Sequence, residues 1–247
     1  MVKDMNFKKY DPLADVDKEV FFQGLYFQED YDAFRYHEGP RVLYWNGSDV
    51  IRTLQNPSWL RTVKECPARH LCHSAWQSEV LRRVGLDVEI YPIFFGNLDK
   101  FQVCYKQSNT PHVYLTSHNG RDNEYGVDEL ELAAPFVPEV TIHVYGSSRP
   151  TKNKNIIYHG WIDEEVMDEE IKNYQGAIKG GSDGISITLI KSIMMGQYPI
   201  SYKKIDGVWH APDVETLIQR LKDLKDQKEP NYELVNKFKN HFKPYGK

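Results

Sequence analysis

The chain predicts an α/β protein of two Rossmann-type lobes, each built on a largely parallel sheet, with a cleft between them. Three observations carry this reading. Short runs of β-branched and aromatic residues alternate with amphipathic stretches, and the connections between them are short. The alternation breaks once, over Phe94–Thr110, and then restarts. A chain of 247 residues is long enough for two small domains. The expected division is a polar lead-in (1–17), an N-terminal lobe (18–95), a linker (96–110), a C-terminal lobe (111–225) and a C-terminal helix and tail (226–247).

In the first lobe, Glu19–Phe27 reads as a strand ending near Gly24, followed by a short helix around Tyr31–Tyr36. Arg41–Trp45 is the second strand. The turn Asn46-Gly47-Ser48-Asp49 caps a helix expected over Val50–Val63, which Pro57 kinks or splits. Ala68–His73 is a third strand. Ser74 is the N-cap of an amphipathic helix, Ala75–Val84, stopped by Gly85, and Val88–Pro92 is the fourth strand.

In the second lobe, strands are expected at His112–Ser117, Val140–Gly146, Asn155–Gly160, Ala177–Lys179 and Tyr198–Tyr202, the last closing the sheet. Helices are expected at Gly126–Phe136, Asp163–Tyr174, Ser186–Met195, Asp213–Lys225 and Tyr232–Phe242. The stretch Gly180–Ile200 organises this half: a glycine-rich turn feeds directly into a helix N-terminus. Gly180, Gly181 and Gly184 allow a close backbone approach to a ligand, and free N–H groups at the helix start favour a phosphate. Ser182 or Asp183 capping the same helix is the plainer alternative.

Composition excludes several classes. The net charge of −4 leaves no global basic field for a nucleic-acid backbone. Three cysteines without CxxC spacing argue against a disulfide scaffold and a zinc site, and fit a reducing, cytoplasmic compartment. Cys72 and His73 are neighbours, so on a strand they face opposite ways and make poor co-ligands. No metal site is expected. No apolar run approaches the ~18 residues that span a membrane, and mean hydropathy is −0.60.

The motifs SHNGRDNEYGVDEL (117–130), VTIHVYG (140–146), IIYHGWI (156–162) and SDGISITLIKSIMMGQYPI (182–200) follow one another in this order. With SAWQSEVLRRVGL (74–86) before them, the order and spacing resemble the GT-B glycosyltransferases, in particular the retaining, nucleotide-sugar-dependent enzymes of group one (family four). The resemblance covers roughly residues 19–225 and implies a shortened GT-B-like form.

It implies roles for particular residues. Arg121 takes the place of the arginine that pairs with the donor diphosphate, a task suited to a guanidinium fork. Tyr125 stands where a lysine is usual, and Lys152 or Lys154 are possible substitutes from the loop after Gly146. Asp183 matches the first acidic position, which contacts the donor sugar. Gly184, Ile185 and Ser186 would offer backbone N–H groups to the diphosphate. Lys191 replaces the second glutamate, whose usual partner is the ribose; it can donate but not accept, or can pair with a phosphate or a nearby carboxylate. Gly120, Gly146 and Gly181 complete the nucleotide-sugar set.

Asn46 takes a place often held by a histidine touching the transferred sugar. Gly24 stands where the chain approaches the acceptor or the diphosphate, though a plain strand-end glycine explains it equally well. Asp49 reads first as a helix cap. An inverting enzyme would need a carboxylate base from this lobe, and Asp49, Asp30 and Asp32 are the candidates.

The expected activity is transfer of a hexose or deoxyhexose from a nucleotide diphosphate sugar (UDP among the possible carriers) to a glycan or small glycoside hydroxyl, metal-independent and without a further cofactor. The alternative is a non-catalytic sugar-nucleotide-binding protein of the same fold. The chain is also expected to be either a trimmed enzyme or one domain of a larger polypeptide.

Overall fold

A computed structural model describes residues 8–95, 97–118, 120–181 and 185–242. The chain divides into two compact units, Met1–Asn97 with Phe242–Lys247, and Leu98–His241.

The first unit is a four-stranded parallel sheet in the order β1-β2-β3-β4, formed by β1 (Val20–Gln23), β2 (Arg41–Trp45), β3 (Arg69–Cys72) and β4 (Val88–Ile90). Four helices connect them: α1 (Gln28–Tyr36), α2 (Ser48–Gln55), α3 (Pro57–Glu65) and α4 (Ala75–Arg83). The central strand β2 is buried from Val42 to Trp45, as expected of a strand covered on both faces. Leu43, Trp45, Tyr31, Phe34 and Leu81 form the heart of its core.

Two expectations change here. The first strand is only four residues long, because Gly24 leaves the ladder at φ +75°. The helix expected over Val50–Val63 is two helices. Asn56 is extended before Pro57, and its Oδ1 accepts from the N–H groups of Ser58 (3.1 Å) and Trp59 (3.4 Å), starting a new helix with proline in the first turn. Ser74 caps α4 as expected and forms a capping box with Gln77.

The second unit is a six-stranded parallel sheet in the order β10-β9-β8-β5-β6-β7. Its strands are β5 (His112–Thr116), β6 (Thr141–Tyr145), β7 (Ile156–Gly160), β8 (Gly176–Lys179), β9 (Ile200–Ser201) and β10 (Trp209–His210). Its helices are α5 (Asp122–Tyr125), α6 (Val127–Ala133), α7 (Glu164–Glu170), α8 (Ile187–Met194), α9 (Val214–Asp223) and α10 (Tyr232–Lys239). Val113, Leu115, Ile142, Val144, Leu130, Leu217 and Leu221 fill its core. The sheet does not close at Tyr202, since Trp209–His210 adds an edge strand beside β9. The one-turn helix α5 is also unanticipated. Residues after Leu98 do not stand free of the second unit: Phe101 and Tyr105 are buried, and the Tyr105 hydroxyl donates to Gln227 O at 2.7 Å.

Candidate functional site

In an open parallel sheet, ligand sites form beyond the carboxyl ends of the strands, where helices begin. The second unit has a cavity of about 430 Å³ at that edge, between the ends of β5 and β8. Thr116, Arg121, Glu124, Tyr125, Lys179, Gly180, Gly181, Ser186 and Thr188 line it.

Its walls are tied down residue by residue. Ser186 is the N-cap of α8, its Oγ accepting from Leu189 N at 3.3 Å, so neither Ser182 nor Asp183 is needed as the cap. The Ile187 and Thr188 N–H groups stand at the open end of the helix, where no intrahelical acceptor exists. Thr188 is held to β5 by the Tyr114 hydroxyl, which donates to Thr188 O at 3.1 Å, and by the 2.6 Å contact between the Thr116 and Thr188 hydroxyls. On the opposite wall, the Ser117 and Ser147 hydroxyls donate to the two oxygens of Asp122, at 2.5 and 2.8 Å. That grip fixes α5 and the residue before it, Arg121.

The Arg121 guanidinium is half-exposed. Its Nε and Nη2 donate to Glu124 Oε2 at 3.0 and 2.5 Å, and its Cζ lies 5.5 Å from the Tyr125 ring centroid. Glu124 holds the guanidinium firmly charged, and Arg121 in turn lowers the Glu124 pKa. The cavity thus presents two cations, Arg121 and Lys179, and one carboxylate.

The glycines have packing reasons of their own. A Cβ on Gly181 (φ +76°) would stand 2.1 Å from Glu124 O, and one on Gly180 would stand 2.3 Å from Tyr125 O. Both residues are held small because the loop after β8 lies directly on the backbone of α5. Gly146 is likewise pressed against Ser117 O, 2.3 Å from its would-be Cβ. Gly120 (φ +81°) has open space around it and needs only the backbone conformation.

Lys191 does not enter the cavity. It is 2% exposed, and its Nζ donates to Glu164 Oε1 (2.7 Å) and Asp168 Oδ1 (2.6 Å) on α7. Of the roles open to it, the pairing with nearby carboxylates is the one formed. The Glu164 pKa is lowered by this lysine, whereas burial pushes the Asp168 carboxyl up.

Asp49, expected first as a helix cap and otherwise as a base, is bound to its own turn. It is fully buried, and its carboxylate accepts from Asn46 N at 3.1 Å and Gly47 N at 2.6 Å, binding the turn before α2. Burial pushes its pKa up. Asp30 accepts from Tyr26 N and Phe27 N (2.8 and 3.0 Å), and Asp32 from Gln28 Nε2 at 2.9 Å. Each of these carboxylates serves its own helix. Asn46 is exposed; Gly24 N donates to Tyr44 O, a strand-end role, and a Cβ on Gly24 would meet the Tyr26 ring at 2.6 Å.

Of the expected residues, the cavity therefore brings together Arg121, Gly180, Gly181 and Ser186. Gly120 and Ile185 flank it in sequence. Lys152 and Lys154 are exposed and line no part of it. Gly24, Asn46 and Asp49 belong to the first unit. Asp183 and Gly184 lie outside the described residues. Lys179, Thr116, Thr188 and Glu124 were not foreseen; a lysine directly before a double glycine at a strand end was the available signal. Among the described residues, no group of three or more His, Cys, Asp or Glu is placed to hold a metal ion. Nor is any helix there long and apolar enough to cross a membrane.

No family model matches the chain, and no curated protein matches its sequence. Solved structures do match. Anabaena HepE, in complex with UDP and glucose, is similar over 88% of this chain and 71% of its own, with a TM-score of 0.64 at 11% identity. The pneumococcal O-GlcNAc transferase GtfA, in complex with UDP and GlcNAc, is similar over 89% and 53%, with a TM-score of 0.60 at 13% identity. The lipopolysaccharide outer core galactosyltransferase WaaB is similar over 86% and 67%, with a TM-score of 0.58 at 11% identity. The chain spans 53% to 71% of the lengths of these three. At such identities the likeness is one of architecture, and the architecture is the α/β fold of the GT-B glycosyltransferases, in a shortened form.

Proposed function

We propose that the protein is a glycosyltransferase that moves a hexose or deoxyhexose from a nucleotide diphosphate sugar to a hydroxyl of a glycan or small glycoside. The observation that carries this is the cavity at the ends of β5 and β8, where Arg121, Lys179 and the open start of α8 converge. In transfer, the bond between the anomeric carbon and the diphosphate oxygen breaks, and its electron pair leaves with the diphosphate. The acceptor oxygen bonds to the same carbon and passes its proton to the departing diphosphate oxygen. Negative charge grows on the leaving group, so fixed donors facing it lower the barrier. Arg121 supplies a guanidinium fork, Lys179 a second cation and α8 two backbone N–H groups. With charge neutralised by the chain itself, the reaction is proposed to run without a metal ion or a further cofactor. UDP is the first carrier to test, because HepE and GtfA were solved with it.

The second reading is a sugar-nucleotide-binding protein without catalysis. Asp49 and Asp30 are spent on backbone N–H groups, Asp32 accepts from the Gln28 side-chain amide, and Lys191 is spent on Glu164 and Asp168.

Thermal unfolding with UDP, GDP, dTDP and their sugars, with and without EDTA, tests binding. A ligand at ~100 times its Kd adds about 2.7 kcal/mol, an easily read shift. One nucleotide that stabilises equally in EDTA names the donor for a transfer assay; binding without transfer or donor hydrolysis selects the second reading. No shift with any of them removes both.

A further inference from the structure

A second concavity of about 440 Å³ lies in the same unit and shares no residue with the first. It is walled by Tyr198 and Trp209 from the sheet edge, by Gln227 from the segment after α9, and by Asn231, Tyr232 and Glu233 at the start of α10. We propose that it is a binding subsite for a neutral pyranose residue of a glycan. The proposal goes beyond the donor cavity and does not depend on it.

The walls are built before any ligand arrives. Asn231 N donates to Gly196 O at 2.8 Å, the Tyr198 hydroxyl to Glu229 O at 2.8 Å, and the Tyr105 hydroxyl to Gln227 O at 2.7 Å. Gly207 (φ +84°) lets the loop between β9 and β10 close on Leu234, whose Cδ1 is 2.8 Å from the place of a Cβ. The Tyr198 and Trp209 rings meet at 5.2 Å between centroids, and Arg220 lies 5.5 Å from the Trp209 centroid, so the indole is fixed. A preorganised site of this kind loses little entropy on binding.

Its chemistry selects the ligand class. Among the described residues, the Trp209 Nε1–H, Gln227 Oε1, Asn231 Nδ2, the Tyr232 hydroxyl and the Glu233 carboxylate have no hydrogen-bond partner. Donors and acceptors thus both stand in a lining that carries aromatic side chains, and Tyr232 is 53% exposed. The one lysine of the lining, Lys237, is already paired with Asp206. With Glu233 the lining carries no excess positive charge, so a phosphate has nothing to bind. A sugar answers all of this: its C–H face stacks on an aromatic ring, its hydroxyls both donate and accept, and a carboxylate can accept from a vicinal diol.

The test uses the whole chain with maltotriose, cellotriose, chitotriose and lactose, followed by saturation-transfer NMR and by tryptophan fluorescence. At least one is expected to bind saturably. Tyr232→Ala and Glu233→Gln, both at exposed positions, are expected each to weaken it about ten-fold with unchanged melting temperature. Arg121→Ala is expected to leave it intact. Absence of saturable binding, affinity untouched by both variants, or loss in Arg121→Ala alone would each overturn the subsite. Saccharide binding that follows this pattern in a chain that binds no nucleotide would uphold the subsite and reject the donor reading.

Discussion

The Lys191 Nζ lies 2.6 Å from Asp168 Oδ1, in a position only 2% exposed, and ties α8 to α7. Glu164, at 2.7 Å, is the outer and more exposed partner. Taking two charges from water is costly, so a buried pair adds little net stability; removing one member leaves the other stranded. Lys191→Met is therefore expected to destabilise the protein by about 3 kcal/mol, most of it from an unpaired Asp168. Lys191→Met with Asp168→Leu is expected to recover much of that loss. Calorimetric melting of the two variants reads this directly. An unchanged melting temperature together with lost nucleotide binding would instead make Lys191 a ligand residue.

Arg121 has the opposite character. Its side chain is 50% exposed, and its partner Glu124 sits on the same turn, so the pair contributes little to stability. Arg121→Ala is expected to leave the melting temperature within about 1 °C while cutting transfer about 10²–10³-fold, the usual loss for a donor facing transition-state charge. Arg121→Lys should restore charge but not the fork, and recover only part of the rate. Steady-state kcat/KM on the donor found by thermal shift decides it. Full activity in Arg121→Ala would remove the cavity from the mechanism.

The fold was legible where burial is repetitive. VLYW in β2, VYLT in β5 and IHVY in β6 are short apolar runs, and a parallel sheet covered on both faces makes such runs. Illegible elements were those with little local signal: the two-residue edge strand β10 and the one-turn helix α5. The site was legible in part. Arg121 and Ser186 were named through the resemblance to the GT-B enzymes, and both line the cavity. The purpose of Gly180 and Gly181 depends on which backbone they touch, and nothing in GGSDG states that Glu124 and Tyr125 lie beneath them. Asp49 shows the converse. That its carboxylate binds the turn before α2 was readable from the sequence of that turn, and its full burial was not.

Gly181 and Gly120 allow a graded test of the loop. Both have positive φ, +76° and +81°, which costs an alanine about 1–2 kcal/mol. Only Gly181 also meets backbone, Glu124 O at 2.1 Å from its would-be Cβ. Gly120→Ala is thus expected to cost about 1–2 kcal/mol, and Gly181→Ala about 2–5 kcal/mol once overpacking is added. Gly181→Ala should also displace α5 and weaken nucleotide binding, which Gly120→Ala should not. Urea unfolding and nucleotide titration of the two variants measure both effects, and equal costs would reject the close approach.

Three histidines in a row, on β5, β6 and β7, set the acid limit of the second sheet. His112 Nδ1 meets His143 Nε2 at 2.9 Å, and His143 Nδ1 meets His159 Nε2 at 2.9 Å, in a row across β5, β6 and β7. Tyr174 and Tyr145 flank the row, and Glu170 Oε2 accepts from the Tyr145 hydroxyl at 2.6 Å. Burial lowers all three pKa values, that of His143 to about 3, with the neighbouring histidines adding to the effect. The folded state holds His143 neutral while the unfolded chain takes up a proton below about pH 6.5, so stability is full above that value and falls with pH towards about 3. His143 alone is expected to cost about 2 kcal/mol between pH 7.5 and pH 5. Burial raises the Asp49 and Asp168 carboxyls, which act in the opposite sense, so the wild-type slope is compared with that of His143→Gln. Urea unfolding across this range should give a shallower slope in the variant, because its side chain cannot titrate. Equal slopes would mean that His143 is protonated as readily in the folded chain as in the unfolded one, and that the row is open to water.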